Sequence, residues 1–221
     1  MTQAMARPSG RIRWIICALI FTAVVLSYVD RLVLSVLKPS LQAEYGWTEP
    51  GYADVAFWFQ AAYGIGYLLF GRFIDKVGAK VGYAVAVGIW TVGHMAQTLV
   101  TSTMGFAIAR LPLALGESGT FPAAIAAAAD WFPKRERALA IGIFNAGGNI
   151  GALVTPLVVP VITLAMGWRA AFWITGAVNI IWLVVWIAFY RRPREHPMTS
   201  REEVAYIESD PPIEQQPVPY R

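Results

Sequence analysis

Long apolar runs broken by short polar segments dominate the chain. Six can be marked: Trp14 to Leu37, Val55 to Phe70, Val81 to Val100, Gly105 to Ala129, Ala138 to Ala165 and Ala170 to Tyr190. A helix needs about 20 mostly apolar residues to cross the hydrocarbon of a bilayer, so each run predicts one transmembrane helix, the second being only just long enough. The first run follows Arg11 and Arg13 as the core of a signal peptide would. It shows no small-residue cleavage site and continues through Asp30-Arg31 into more apolar sequence, so it is expected to be retained as a helix. From Pro193 onward the pattern changes to prolines among Glu and Gln, which predicts a flexible linker rather than a domain. The expected organisation is therefore an amino-terminal segment at 1–13, a six-helix transmembrane unit at 14–190 and a linker at 191–221. A linker implies something beyond it, so the expectation is half of a larger protein.

Composition agrees with the pattern. The 221 residues are 57% hydrophobic and 14% charged, with mean hydropathy +0.50, which leaves too little polar surface for a water-soluble globule. Soluble catalytic and nucleic-acid-binding classes are excluded on that ground. The basic pI near 9.3 reflects topology. Arg7, Arg11 and Arg13, then Arg72, Lys76 and Lys80, then Lys134, Arg135 and Arg137, then Arg191, Arg192 and Arg194 all fall on one side of a six-span arrangement. Only Lys38 and Arg169 fall opposite, so both termini are expected in the cytoplasm. The single cysteine, Cys17, permits no disulfide within the chain.

Four ionisable residues stand out inside the runs: Asp30 and Arg31 in the first, Arg110 and Glu117 in the fourth. A charge in hydrocarbon costs several kcal/mol unless it is paired or faces water, so each is a functional candidate. Arg110 and Glu117 are seven residues apart, about two turns, and share one helix face. Ionised, Asp30 and Glu117 could neutralise Arg31 and Arg110; protonated, they would release two positive charges toward an anion. The planar guanidinium fork suits a carboxylate better than a sugar or an amine. The structural alternative is a set of internal salt bridges between helices. Tyr63 in the second run and Asn145 and Asn149 in the fifth could contact ligand, or could serve as an interfacial tyrosine and as interhelical hydrogen-bonding groups.

Between the second and third runs lies Gly71-Arg72-Phe73-Ile74-Asp75-Lys76-Val77-Gly78-Ala79-Lys80. Its glycines, acid and lysines match the loop pattern Gly-x-x-x-Asp-(Arg/Lys)-x-Gly-x-(Arg/Lys) at Gly71, Asp75, Lys76, Gly78 and Lys80; Ala79 replaces a commoner basic residue. Gly147 and Gly151, four apart on the fifth run, offer a bare face for close helix approach, and Pro156 permits a bend.

This loop, the charged pairs within Tyr28-x-Asp30-Arg31-x-x-x-Ser35 and Arg110 to Phe121-Pro122, the segment Asp130-Trp131-Phe132-Pro133-Lys134-Arg135-Glu136-Arg137-Ala138 and Gly167-Trp168-Arg169 together resemble the anion:cation symporter family of the major facilitator superfamily. Within it the chain is most similar to bacterial hexuronate transporters. The resemblance implies an all-α integral membrane fold with six transmembrane helices, the amino-terminal half of a major facilitator fold in a bacterial inner membrane. It implies proton-coupled symport of a small organic anion, a hexuronate or related sugar acid, by alternating access, with the proton as coupling ion and no other cofactor. Arg31 and Arg110 would hold the carboxylate and Asp30 and Glu117 would carry protons. Tyr63 with Asn149, and beside them Tyr28 and Asn145, would complete the substrate contacts, and the Gly71–Lys80 loop would gate. The family has twelve helices in two halves, so a missing carboxyl-terminal half or a second copy is the implied partner, alongside the lipid bilayer. The alternative is a non-transporting or regulatory six-helix fragment. An enzyme is not expected: His94 and His196 are isolated, and no nucleophile, metal or nucleotide motif is present.

Overall fold

The computed structural model describes residues 10–210; residues 1–9 and 211–221 of the two terminal segments lie outside them. The described chain is helical throughout. Helix α1 is Ile12–Tyr45, α2 Glu49–Ala96, α3 Thr103–Ser118, α4 Thr120–Trp131, α5 Lys134–Met166, α6 Trp168–Phe189 and α7 Arg201–Ile207.

Six spans emerge from the first six helices because two boundaries differ from the hydrophobic pattern. Helix α2 contains two spans, 49–77 and 79–96, bent at Gly78, whose φ of 80° and ψ of 168° only glycine adopts without strain. The loop predicted from Gly71 to Lys80 is thus helical up to that one residue. The fourth span divides at Gly119 into α3 and α4, where the Gly119 N–H bonds the Gly116 carbonyl at 3.0 Å, a tightened turn. Pro122 explains the break: it has no N–H for the carbonyl of Ser118 four residues earlier.

Local signals set the ends. Thr48 Oγ1 accepts from Gly51 N at 3.2 Å to start α2, and Ser102 Oγ accepts from Gly105 N at 3.1 Å to start α3. Helix α1 stops at Gly46, in the left-handed region at φ 65°. At the start of α2 the Lys38 ammonium (2.7 Å) and Gln42 amide (2.9 Å) both donate to the exposed Glu49 carboxylate.

One apolar core, built on Ile16, Ile20, Val24, Tyr83, Trp90, Leu113, Ala127, Trp131 and Phe144, occupies the end bearing the basic loops. A second, with Val33, Leu37, Trp47, Val55, Phe106, Trp168 and Phe172, occupies the other end. The outer face is apolar as well: Leu164 is 89% exposed, Leu68 75% and Ile181 64%. Such a surface requires lipid or another helix bundle to cover it. Helices α1, α5 and α6 qualify as spans by length and apolarity alone; α3 and α4, at 16 and 12 residues, are each too short by themselves, but α2 and α3 present the same apolar exterior through Phe57, Val92 and Ile108. Helix α5 reaches α1 over its small residues, where a Cβ on Gly147 would sit 2.8 Å from Phe21 O and one on Gly151 2.6 Å from Val25 O.

Part of the segment expected to be a flexible linker is folded. Ser200 Oγ caps α7 by accepting from Glu203 N at 3.1 Å. Glu203, fully buried, accepts from both Arg13 N and Arg13 Nη1 at 3.3 Å. The Tyr206 hydroxyl donates to Glu136 Oε1 at 2.6 Å, and Asp210 accepts from the otherwise unbonded Lys134 N at 2.9 Å. Helix α7 therefore ties the starts of α1 and α5 together. Glu203→Ala leaves Arg13 with one acid fewer in a buried setting, at a cost of about 3 kcal/mol. Hydrogen exchange should accelerate about a hundredfold across α7 and little elsewhere; unchanged protection would show that α7 docks without this pair.

Candidate functional site

The four intramembrane charges occupy the middle of the bundle, but they do not form one cluster. Successive helical residues diverge by about 100°, so Asp30 and Arg31 leave α1 on different sides. Arg31 points toward an open face shared with α2 and α3. Its Nε and Nη2 each lie 2.9 Å from Glu117 Oε2, and its guanidinium sits over the rings of Tyr63 (4.6 Å), Tyr28 (5.2 Å) and Phe59 (5.5 Å). Arg31 keeps 26% of its side chain exposed while Glu117 is fully buried.

Arg110 lies beneath, 5% exposed, with its guanidinium 4.5 Å from the centre of the Phe59 ring. Among the described residues its one hydrogen bond is a long one, Nη2 to the Arg31 carbonyl at 3.4 Å. Nε and Nη1 have no partner among the described residues, nor has Glu117 Oε1. A buried guanidinium with two idle donors, beside a second arginine already engaged by an acid, has the hydrogen-bonding capacity to hold an anion. Arg31, Arg110 and ionised Glu117 sum to +1, which one monoanion would neutralise.

Asp30 corrects the expectation that both acids serve the two arginines. It is wholly buried on the core side of α1, where Asn179 Nδ2 of α6 donates to Oδ2 at 2.5 Å and His94 Nε2 of α2 lies 3.3 Å from Oδ1. His94 also meets Thr175 Oγ1 at 2.7 Å. Helix α1 packs chiefly on α5 and α6; from it the Asp30 side chain reaches Asn179 of α6 and His94 of span 79–96, and the Arg31 side chain reaches Phe59 and Tyr63 in the first half of α2 and Glu117 of α3. Sequence reasoning set His94 aside as isolated and did not name Asn179 or Thr175. The signal available was that His94 and Asn179 are polar groups stranded in apolar runs, and such groups need partners at depth.

The other predicted residues are distributed as follows. Tyr28 and Tyr63 are half-buried against Arg31, whereas Asn145 and Asn149 are exposed on α5 and touch none of the charges through a hydrogen bond. Of the loop residues, Asp75 and Lys76 are exposed and make no hydrogen bond or ion pair among the described residues. Gly71 is half-buried within α2 and Gly78 makes the bend. The Lys80 carbonyl accepts from Trp186 Nε1 at 3.0 Å, fixing the bend to α6.

A six-span helical unit with an open polar face at membrane depth is the architecture of a transporter half. Residues 20–218 match the Major Facilitator Superfamily, and the chain belongs to that family. It is 33% identical over 196 residues to a galacturonate transporter of Dickeya chrysanthemi, covering 89% of this chain and 57% of that protein. It is 34% identical to the hexuronate transporter of Escherichia coli K12, covering 89% and 45% respectively. The chain thus spans about half the length of the curated relatives it matches. Among solved structures, an inward-facing bacterial homologue of the human lysosomal transporter Spinster superposes with a TM-score of 0.71 at 20% identity, over 87% of this chain and 45% of that one. The proton:xylose symporter XylE gives 0.61 at 18% identity, over 82% and 46%. These two likenesses concern the fold.

Proposed function

We propose that the chain is the amino-terminal half of a proton-coupled symporter of a sugar acid, with a hexuronate as the best-supported substrate, in a bacterial inner membrane with both termini cytoplasmic. The observation that carries this reading is the arginine pair: Arg110 buried with idle donors, Arg31 exposed toward the same face and bound to Glu117. The substrate carboxylate would take the free edge of Arg110 and compete with Glu117 for Arg31. Protonating Glu117 removes its claim on Arg31 and raises the charge of the face from +1 to +2, so proton and anion bind together more readily than either alone. Tyr63 and Tyr28 would wall the site, and Asn149 and Asn145, exposed on α5, would meet substrate hydroxyls once a second six-helix half covers them. Relatives named for galacturonate, hexuronate and galactonate support a polyhydroxy carboxylate. The transporter names of these relatives give no support to an enzyme.

The test is uptake of labelled galacturonate into proteoliposomes with an acidic exterior, using this chain alone and joined to the second half of a hexuronate transporter. Accumulation that appears in the joined protein and collapses with a protonophore supports the proposal. Robust uptake that ignores the proton gradient would overturn the coupling, and failure of both forms, with correct folding, would favour the non-transporting fragment.

A further inference from the structure

The buried group around Asp30 is not used by the arginine face, and its hydrogen-bonding arithmetic is specific. The Thr175 hydroxyl has one proton, and its oxygen lies 2.9 Å from the Ala171 carbonyl, the usual recipient in a helix. Thr175 Oγ1 is then an acceptor toward His94, which places the imidazole proton on Nε2, directed at Thr175 Oγ1 at 2.7 Å, while Asp30 Oδ1 lies 3.3 Å from Nε2 without a hydrogen bond among the described residues. His94 Nδ1 and Asn179 Oδ1 are left as bare acceptors, wholly buried, without a partner among the described residues.

We propose that His94 and Asn179 are positioning residues that make Asp30 a sealed proton site on the core side of α1, physically apart from the arginine face. Asn179 fixes Oδ2 by its hydrogen bond, and His94, anchored on Thr175, stands 3.3 Å from the otherwise unpartnered Oδ1, so the carboxyl holds one orientation. An arriving proton adds to Asp30 Oδ1 or to His94 Nδ1, giving a neutral acid beside neutral imidazole or a carboxylate beside imidazolium. In both cases the pair passes from a net charge of −1 to zero and no bond to carbon changes. The groups facing it are Thr175 and Asn179 from α6 and Trp90 from α2; Arg31, at the next position of α1, leaves on the other side, and the charges of Arg110 and Glu117 from α3 reach His94 and Asp30 respectively. Substrate on the arginine face therefore acts on this proton through charge and through α1 rather than by direct contact. The inference rests on proton-coupled transport only for its transport readout.

The full chain in liposomes, titrated while its infrared difference spectrum is recorded, is expected to show a protonated-carboxyl band that is missing from Asp30→Asn. His94→Leu should change the band's frequency and move its titration midpoint by about one pH unit or more. His94→Gln, which returns an N–H near the Nε2 position, should restore both, and Asn179→Ala should displace the band from the α6 side. An Asp30 band identical in His94→Leu, or a His94→Gln variant no better than His94→Leu, would overturn the proposal. In the protein joined to a second half, His94→Leu should slow proton-driven accumulation at least about tenfold while exchange of labelled for unlabelled substrate stays within about twofold. Equal loss of both, in a protein that still folds, would assign these residues to packing and also overturn it. Wild-type protein that moves no sugar acid yet keeps the infrared behaviour refutes the transport reading and leaves the proton site standing.

Discussion

Replacing Arg110 with methionine is expected to abolish uptake in the joined protein, by about a hundredfold or more, while making the folded chain more resistant to heat. The two effects have opposite signs for one reason. Arg110 is 5% exposed, with two guanidinium nitrogens unpartnered among the described residues and a single 3.4 Å hydrogen bond. An unpaired buried charge is a cost to the fold, and a methionine of similar length, packed on Phe59, removes it. The gain should be about 1 to 3 kcal/mol, readable as a rise in unfolding temperature. The same idle donors are what an incoming carboxylate would use, so their removal takes away the largest single attraction for it. Uptake and stability falling together would make Arg110 a structural residue and would remove the main support for anion binding here.

The second large effect is structural. Gly116 of α3 lies against the backbone of α2, where a Cβ would overlap Trp90 N and stand 2.6 Å from Ala86 O. Neither atom can swing aside, because both belong to a helix backbone. Gly116→Ala should therefore destabilise the bundle by about 2 kcal/mol or more, against the ordinary helical preference for alanine. Gly88→Ala is the matched control: nothing lies within 4 Å of a Cβ there, so the same exchange should be neutral or stabilising by up to about 1 kcal/mol. Measured by thermal unfolding in detergent, equal effects of the two substitutions would show that α2 and α3 are not in register as described.

The spans were legible because lipid-facing helices announce themselves by apolar length. The error over Gly71–Lys80 has a clear source: charged residues at the end of a span read as a loop, yet Asp75 and Lys76 sit on an exposed helix surface where charge does not interrupt hydrogen bonding. The fold of residues 193–210 was hidden by proline content; Ser200 and Glu203 carry a capping signal that such composition obscured. At the site, sequence spacing placed Arg110 and Glu117 on one face and identified all four charges. It could not say which side of α1 would meet which helix. That depends on the order of helices around the bundle, a property of the packed whole, and it separates Asp30 from Arg31 and joins it to His94 and Asn179.

Because Asp30 and Arg31 are consecutive on one unbroken helix, they form the two arms of a rigid crank. An axial twist of α1 that swings Arg31 outward must draw Asp30 along the same arc, away from Asn179, without any chain of intermediate side chains. Binding on one side of the helix and proton exchange on the other would then be geared to each other by a single torsion.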